Sequence, residues 1–119
     1  MRAVGEEFEE RAAQWLRAQR MRLLARNFRT RLGEIDLVAL DDGCLVFVEV
    51  RARHNPRFAG AAASVGRDKQ QRIRRAALLF LQQRPELAHL PCRFDVIAFE
   101  PRQSAPGTAL RWIRAAFTT

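Results

Sequence analysis

Lysine is nearly missing from this chain: Lys69 is the only one among 21 basic residues, the rest being arginine. So large an excess of arginine can follow from genome composition, so no single guanidinium is informative by itself. The lone lysine is mildly informative, because it stands out against that bias. Cysteine is scarce too. Cys44 and Cys92 stand far apart in the sequence, with no metal-type spacing to His54 or His89. That argues against a disulfide framework or a Cys/His metal site and fits reduced thiols in a cytoplasmic protein. No run approaches the ~18 apolar residues of a membrane-spanning helix. The first residues pass from Arg2 into Glu6 and Glu7, which is not the pattern of a signal peptide. Repeats and low-complexity tracts are absent, as is any Walker-type glycine spacing. Gly60 and Gly66 read as loop hinges and not as a phosphate cradle.

What is present fits a folded chain of one domain, residues 1–119. The chain has 119 residues, 48% hydrophobic and 29% charged, enough for a core without staples. Lys and Arg exceed Asp and Glu by 21 to 13, a net charge of +8. A domain this basic attracts polyanions, nucleic acid first among them.

Apolar spacing predicts a helix over residues 4–19, with Phe8, Ala12, Trp15 and Leu16 on one stripe. Strands follow at about 21–28, 33–40 and 44–53, the last two joined by a hairpin turn at Asp41-Asp42-Gly43. A second helix is expected over 68–83, ended by Pro85, and then strands at 93–99 and 110–113 with a helical turn or frayed end after them. Helix, meander, helix, strand implies a mixed sheet with a helix crossing one face, an α/β sandwich.

Two carboxylates interrupt otherwise apolar strands. Alternation sets Glu34, Asp36, Val38 and Leu40 on one face and Ile35, Leu37 and Ala39 on the other. In the next strand Leu45, Phe47, Glu49, Arg51 and Arg53 share a face. A tight turn places Asp36 opposite Val48 or Glu49, which brings the two carboxylates to about 5 Å between Cβ atoms. Like charges so close cost stability unless a proton or cation lies between them. Hard oxygen ligands in that arrangement suit magnesium or manganese; the alternative is a buried ion-pair network of Asp36, Glu49 and Arg51 with no metal. Glu9, at the edge of the first helix's apolar stripe, is placed to lean over the sheet. Glu6, Glu7 and Glu10 read as surface charge near a helix N-terminus.

Gly33-Glu34-Ile35-Asp36-Leu37-Val38-Ala39, Val46-Phe47-Val48-Glu49-Val50-Arg51-Ala52-Arg53 and Lys69-Gln70 together resemble the YraN-like family of small bacterial proteins, which are similar to restriction-endonuclease-like nucleases. Arg26-Asn27-Phe28-Arg29, Arg93-Phe94-Asp95-Val96 and Ala116-Phe117 match as well, so the resemblance runs from about Glu9 to Phe117. It implies a restriction-endonuclease-like three-layer sandwich, a central mixed sheet with helices on its faces. It also implies a site in which Asp36 and Glu49 match the nuclease aspartate and glutamate, Glu9 the helix glutamate of Holliday-junction resolvases, and Lys69 a lysine opening the next helix. The implied activity is a magnesium- or manganese-dependent endonuclease acting on DNA, branched or damaged, with Asp36, Glu49 and Glu9 toward the metal. By analogy with resolvases the implied assembly is a homodimer.

Two positions depart from the pattern. Phe8 replaces a glycine, and Arg51 stands where the nuclease motif has lysine. The second matters more, since arginine stays protonated and holds a phosphate but makes a poor base. In this scheme Arg51 and Lys69 clamp the scissile phosphate while Arg53, Arg72 and Arg75 grip flanking ones. Three functions compete: the nuclease, a non-catalytic nucleic-acid-binding module that kept the fold, and an interaction protein with a basic face. Asp95 is expected to partner an arginine, Trp15 and Trp112 to pack, and His54, just after the third strand, is a minor candidate for substrate contact.

Overall fold

A computed structural model describes residues 4–52, 65–101 and 106–118. In chain order it contains α1 (Val4–Ala18), β1 (Arg22–Arg29), β2 (Glu34–Asp41), β3 (Cys44–Ala52), α2 (Arg67–Gln83), a 3-10 turn at Pro85–Leu87, β4 (Cys92–Pro101) and β5 (Thr108–Phe117). The strands lie in sequential order in one sheet. All neighbours are antiparallel except β3 and β4, which run parallel. A parallel pair needs a crossover, and α2 supplies it.

The hairpin between β2 and β3 fixes the register. Asp41 pairs with Cys44, and Asp42 and Gly43 both take left-handed φ, 47° and 83°. That is the two-residue turn whose twist matches its strands, and glycine enters it without a Cβ penalty. Pairing continues to Leu37↔Val48, so Asp36 comes level with Glu49 and not with Val48.

Each face of the sheet buries one helix, which makes three layers. Phe8, Ala12 and Leu16 of α1 pack on Leu37, Val46, Val48 and Phe99. On the other face Ile73, Ala76 and Phe80 of α2 pack on Val38, Leu45, Phe47 and Phe94. Phe80 meets Phe28 and Phe47 edge-on, with ring centroids 5.3 and 5.9 Å apart. No helix among the described residues is long and apolar enough to cross a membrane.

Two expectations need correction. Ile35 packs on the α2 side and not with Leu37 and Ala39. The cause lies across the ladder, where Asn27 interrupts β1 with a left-handed φ of 51°. Before it, Arg26 meets Glu10 of α1; after it, Phe28 meets Phe80 of α2. The ribbon turns over at this point and Ile35, paired with Phe28, turns with it. The C-terminus also differs, since residues 114–117 form strand and no helical turn. Phe94 pairs with Phe117 but Val96 with Ile113, and Ala115 in the resulting bulge has φ 50°. The bulge erases the period-two pattern by which the strand would have been read.

Asp95 fills that bulge. It is fully buried and accepts hydrogen bonds from Ala115 N at 2.9 Å, Trp112 Nε1 at 2.9 Å and Arg93 Nε at 3.1 Å. Arg93 also donates to Asp41 at 2.8 Å. The arginine partnership expected of Asp95 is present, and Trp112 is held by it. Cys44 and Cys92 are half-buried free thiols at the start of adjacent strands. Burial, then the neighbouring Cys44, pushes the Cys92 thiol up.

Candidate functional site

The site forms where the β1–β2–β3 ribbon opens. A ladder continued in register would set Ile35 against Val50. Instead the Val50 amide donates to Asp36 Oδ2 at 2.8 Å, so a carboxylate takes the place of a strand carbonyl and the strands part. Across β1, pairing of Arg26 with Leu37 and of Phe28 with Ile35 leaves Asn27 opposite Asp36.

Three carboxyls meet here. Asp36 and Glu49 are buried, 8% and 4% exposed, and Glu9 of α1 is half-buried beside them. Phe8 seats that part of α1 by packing on Phe99, ring centroids 4.9 Å apart. Glu10 locks it to β1 through Arg26 at 2.6 Å, a partner that the surface reading of Glu10 did not foresee. Burial, and next the Glu49 charge, push the Asp36 carboxyl up to about 7 against the Val50 amide and Lys69. Glu9 is raised by burial and then by Asp36, while the Asn27 amide and Arg26 oppose the rise. Burial also raises Glu49, although Lys69 and Arg51 pull the other way.

Two cations face Glu49 Oε1: Lys69 Nζ at 3.5 Å and Arg51 NH1 at 3.7 Å. Lys69 sits in the first turn of α2, whose N-cap Gly66 provides no side-chain cap. The other oxygen, Oε2, is buried with no hydrogen-bond partner among the described residues unless a proton is shared with Asp36. A buried ionised oxygen left so is costly. A cation would satisfy it, and the all-oxygen donors Asp36 and Glu49 match a hard divalent ion. Among the described residues no three His, Cys, Asp or Glu side chains are already gathered into a metal-ligating group, so water would complete the coordination. The carboxyls, Arg51 and Lys69 line a cleft of about 350 Å³.

Asp36, Glu49, Glu9, Arg51 and Lys69 are thus brought together. Arg72 lines the adjoining hollow. Arg75 is placed elsewhere and lines an apolar cavity with Phe47 and Cys92, because each three-residue step falls about 60° short of a full helical turn and the lag from Lys69 to Arg75 reaches about 120°. Arg53 and His54 lie outside the described residues. Asn27 and Glu34 were missed as site residues. Asn27 opposes the rise of the Glu9 carboxyl, and its tolerance of left-handed φ was the signal. Glu34 lines both hollows; its place on the Asp36 face was readable.

Comparison with known proteins settles the family. The family model described as uncharacterised protein family UPF0102 matches residues 8–99, which include all five gathered residues. The chain belongs to the UPF0102 (YraN) family. It is 48% identical over 114 residues to a UPF0102 protein of Alcanivorax borkumensis, covering 96% of this chain and 90% of that one. Against a Pseudomonas entomophila UPF0102 protein the figures are 49% over 114 residues, 96% and 92%. A Halorhodospira halophila UPF0102 protein is 49% identical over 116 residues, with 98% and 88% covered.

Within this UPF0102 fold Gly33 has a structural duty next to the site. A Cβ there would run into the Arg72 carbonyl, so the β1–β2 turn reaches α2 only as glycine. Gly33→Ala is expected to cost about 1–3 kcal/mol through overpacking, read as a lowered midpoint in urea with an unchanged slope. A midpoint equal to wild type would show that the turn and helix are free to separate.

Proposed function

We propose that this UPF0102 protein is a metal-dependent endonuclease of the restriction-endonuclease-like kind, hydrolysing phosphodiesters in DNA. The observation that carries the reading is the buried Asp36–Glu49 pair, with one Glu49 oxygen unpartnered and the other facing Lys69 and Arg51. Two crowded carboxylates beside two cations, under a net charge of +8, make a poor stabilising network but a usable phosphate-cleaving site. The three-layer arrangement of one sheet between two helices, with carboxylates on adjacent strands, supports the fold assignment.

Asp36 and Glu49 would hold magnesium or manganese, with Glu9 beside them. A bound divalent ion neutralises phosphate charge and lowers the pKa of coordinated water. Lys69 and Arg51 bind the scissile phosphate and offset charge as water adds to phosphorus. The bond from phosphorus to one ester oxygen breaks, that oxygen takes up a proton, and the proton released by water passes to solvent. Asn27 favours the ionised form of the Glu9 carboxyl. Arg51 orients phosphate and takes no proton, which leaves Lys69 as the only lysine able to serve where the motif lysine is absent.

The guanidinium at residue 51 favours one other reading, a nucleic-acid-binding module without chemistry. Plasmid, hairpin and four-way-junction DNA incubated with magnesium or manganese separates the two. Cleavage is expected to need the metal and to fall at least 100-fold in Asp36→Ala and in Glu49→Ala, a loss of the size seen when a charge-stabilising group is removed. Binding of all three substrates without cleavage by wild type would leave the binding module.

A further inference from the structure

We propose that a second hollow, between the β1–β2 turn and α2, binds one nucleotide of a single nucleic-acid strand; the proposal rests on the nuclease reading and names the substrate form. The hollow has a volume of about 340 Å³. Glu34 and Lys69 line it and the carboxylate cleft alike, so the two hollows adjoin at these side chains. Carboxylates predominate in the first, where Glu9, Asp36 and Glu49 meet Arg51, and guanidinium groups in the second, where Arg31 and Arg72 outnumber the shared Glu34. Arg72 lies three residues beyond Lys69, about 4.5 Å along the helix axis. The two cations therefore follow one another along a path leading away from the carboxylates, as consecutive phosphates of one strand require.

The walls are held in shape. Thr30 Oγ1 donates to the Gly33 carbonyl at 2.7 Å and accepts from the Leu32 and Gly33 amides at 3.1 and 3.0 Å. Gly33 lies directly on the Arg72 backbone. At the lip stands Leu32, 47% exposed, one of two large apolar side chains so exposed among the described residues. An apolar face next to a guanidinium pair offers an unstacked base its contact and the adjoining phosphate its counter-charge. A duplex keeps its bases stacked and presents phosphate alone. A hollow flanked by the turn on one side and the helix on the other, with Arg31 facing Lys69 and Arg72, suits one strand: a single-stranded stretch, a frayed end or the arm of a branch.

The test is fluorescence anisotropy without divalent ions, using Asp36→Asn protein so that nothing is cut. The probes are a labelled 12-nucleotide single strand and a blunt hairpin duplex. Adding Arg31→Gln and Arg72→Gln is expected to weaken single-strand binding at least tenfold and flatten its salt slope by about 1.4, roughly 0.7 per lost phosphate contact. Leu32→Ser is expected to weaken the single strand about three- to fivefold with no change in slope and none for the hairpin. Arg22→Gln with Arg75→Gln, which removes equal charge away from the hollow, is expected to stay within twofold. Equal losses in both arginine pairs, or hairpin binding that falls as far as single-strand binding, overturns the subsite. The two readings fail separately. Cleavage by wild type with pocket variants that bind normally removes only the subsite. The expected binding pattern without cleavage in magnesium or manganese removes only the nuclease.

Discussion

Asp95→Ala is expected to remove about 3–5 kcal/mol of stability, the usual cost of breaking a buried ion pair by deleting one partner. A domain of this size has roughly 5–15 kcal/mol in total, so the variant should melt at least 10 °C lower or fail to accumulate. Asp95 is fully buried, and its deletion strands three donors at once. Ala115 N and Trp112 Nε1 lose their acceptor, and Arg93 keeps only Asp41. Unsatisfied buried donors each cost about 1–3 kcal/mol, and the β5 bulge loses the group that fills it. Asp95→Asn retains one acceptor oxygen and is expected to lose about half as much. Adding Arg93→Met to Asp95→Ala removes the stranded cation and should recover part of the loss, a coupling that additive effects would not produce. Guanidinium denaturation of the four proteins measures all of this. A loss below 1 kcal/mol for Asp95→Ala would mean that water satisfies the bulge and that the carboxylate is dispensable.

The readable parts of this fold were those in which local chemistry and packing agree. Phe8, Ala12 and Leu16 form a stripe because α1 covers one face of the sheet, and Asp42-Gly43 is a two-residue turn that only left-handed residues make easily. From that turn the meeting of Asp36 with Glu49 followed by arithmetic, to within one residue. What stayed hidden depends on contacts distant in sequence. Asn27 inverts the faces of β1, and the consequence appears at Ile35 on another strand. Asp95 holds a bulge in β5 that no alternation in residues 108–117 announces. Arg75 and Arg72 look equivalent as charges on one helix, yet they line different hollows, Arg72 toward the β1–β2 turn and Arg75 toward Phe47 and Phe94. The family's motif pointed to Glu9, Asp36, Glu49 and Lys69. It could not reveal that Val50 orients the Asp36 carboxyl, because Val50 acts through its backbone.

Asp36→Asn should stabilise the protein when divalent ions are absent, and by an amount that grows with pH. The Asp36 carboxyl ordinarily titrates at 3.8; in the fold burial, and then the Glu49 charge, raise it to about 7. Between those values the folded chain binds a proton that the unfolded chain has lost, so stability must fall as pH rises. This contribution is intact below pH 3.8 and gone once pH has passed the raised value. A tenfold change in proton affinity is worth about 1.4 kcal/mol, so the interval from 3.8 to about 7 sets a ceiling near 4 kcal/mol. Asparagine keeps an oxygen for the Val50 amide and discards the charge. With chelator at pH 8 the variant is expected to exceed wild type by about 2 kcal/mol, some 6–10 °C in Tm for a chain of this length. At pH 4 the gap should shrink below 0.5 kcal/mol, within the range of a neutral surface change. Magnesium or manganese should then raise wild type and leave the variant where it was, since only wild type offers both carboxylates to the ion. If the variant is instead less stable than wild type at pH 8, the charge of Asp36 is already compensated by Lys69 and Arg51. The pair would then be a structural ion network with no need of a metal, and the nuclease reading would lose the crowding on which it stands.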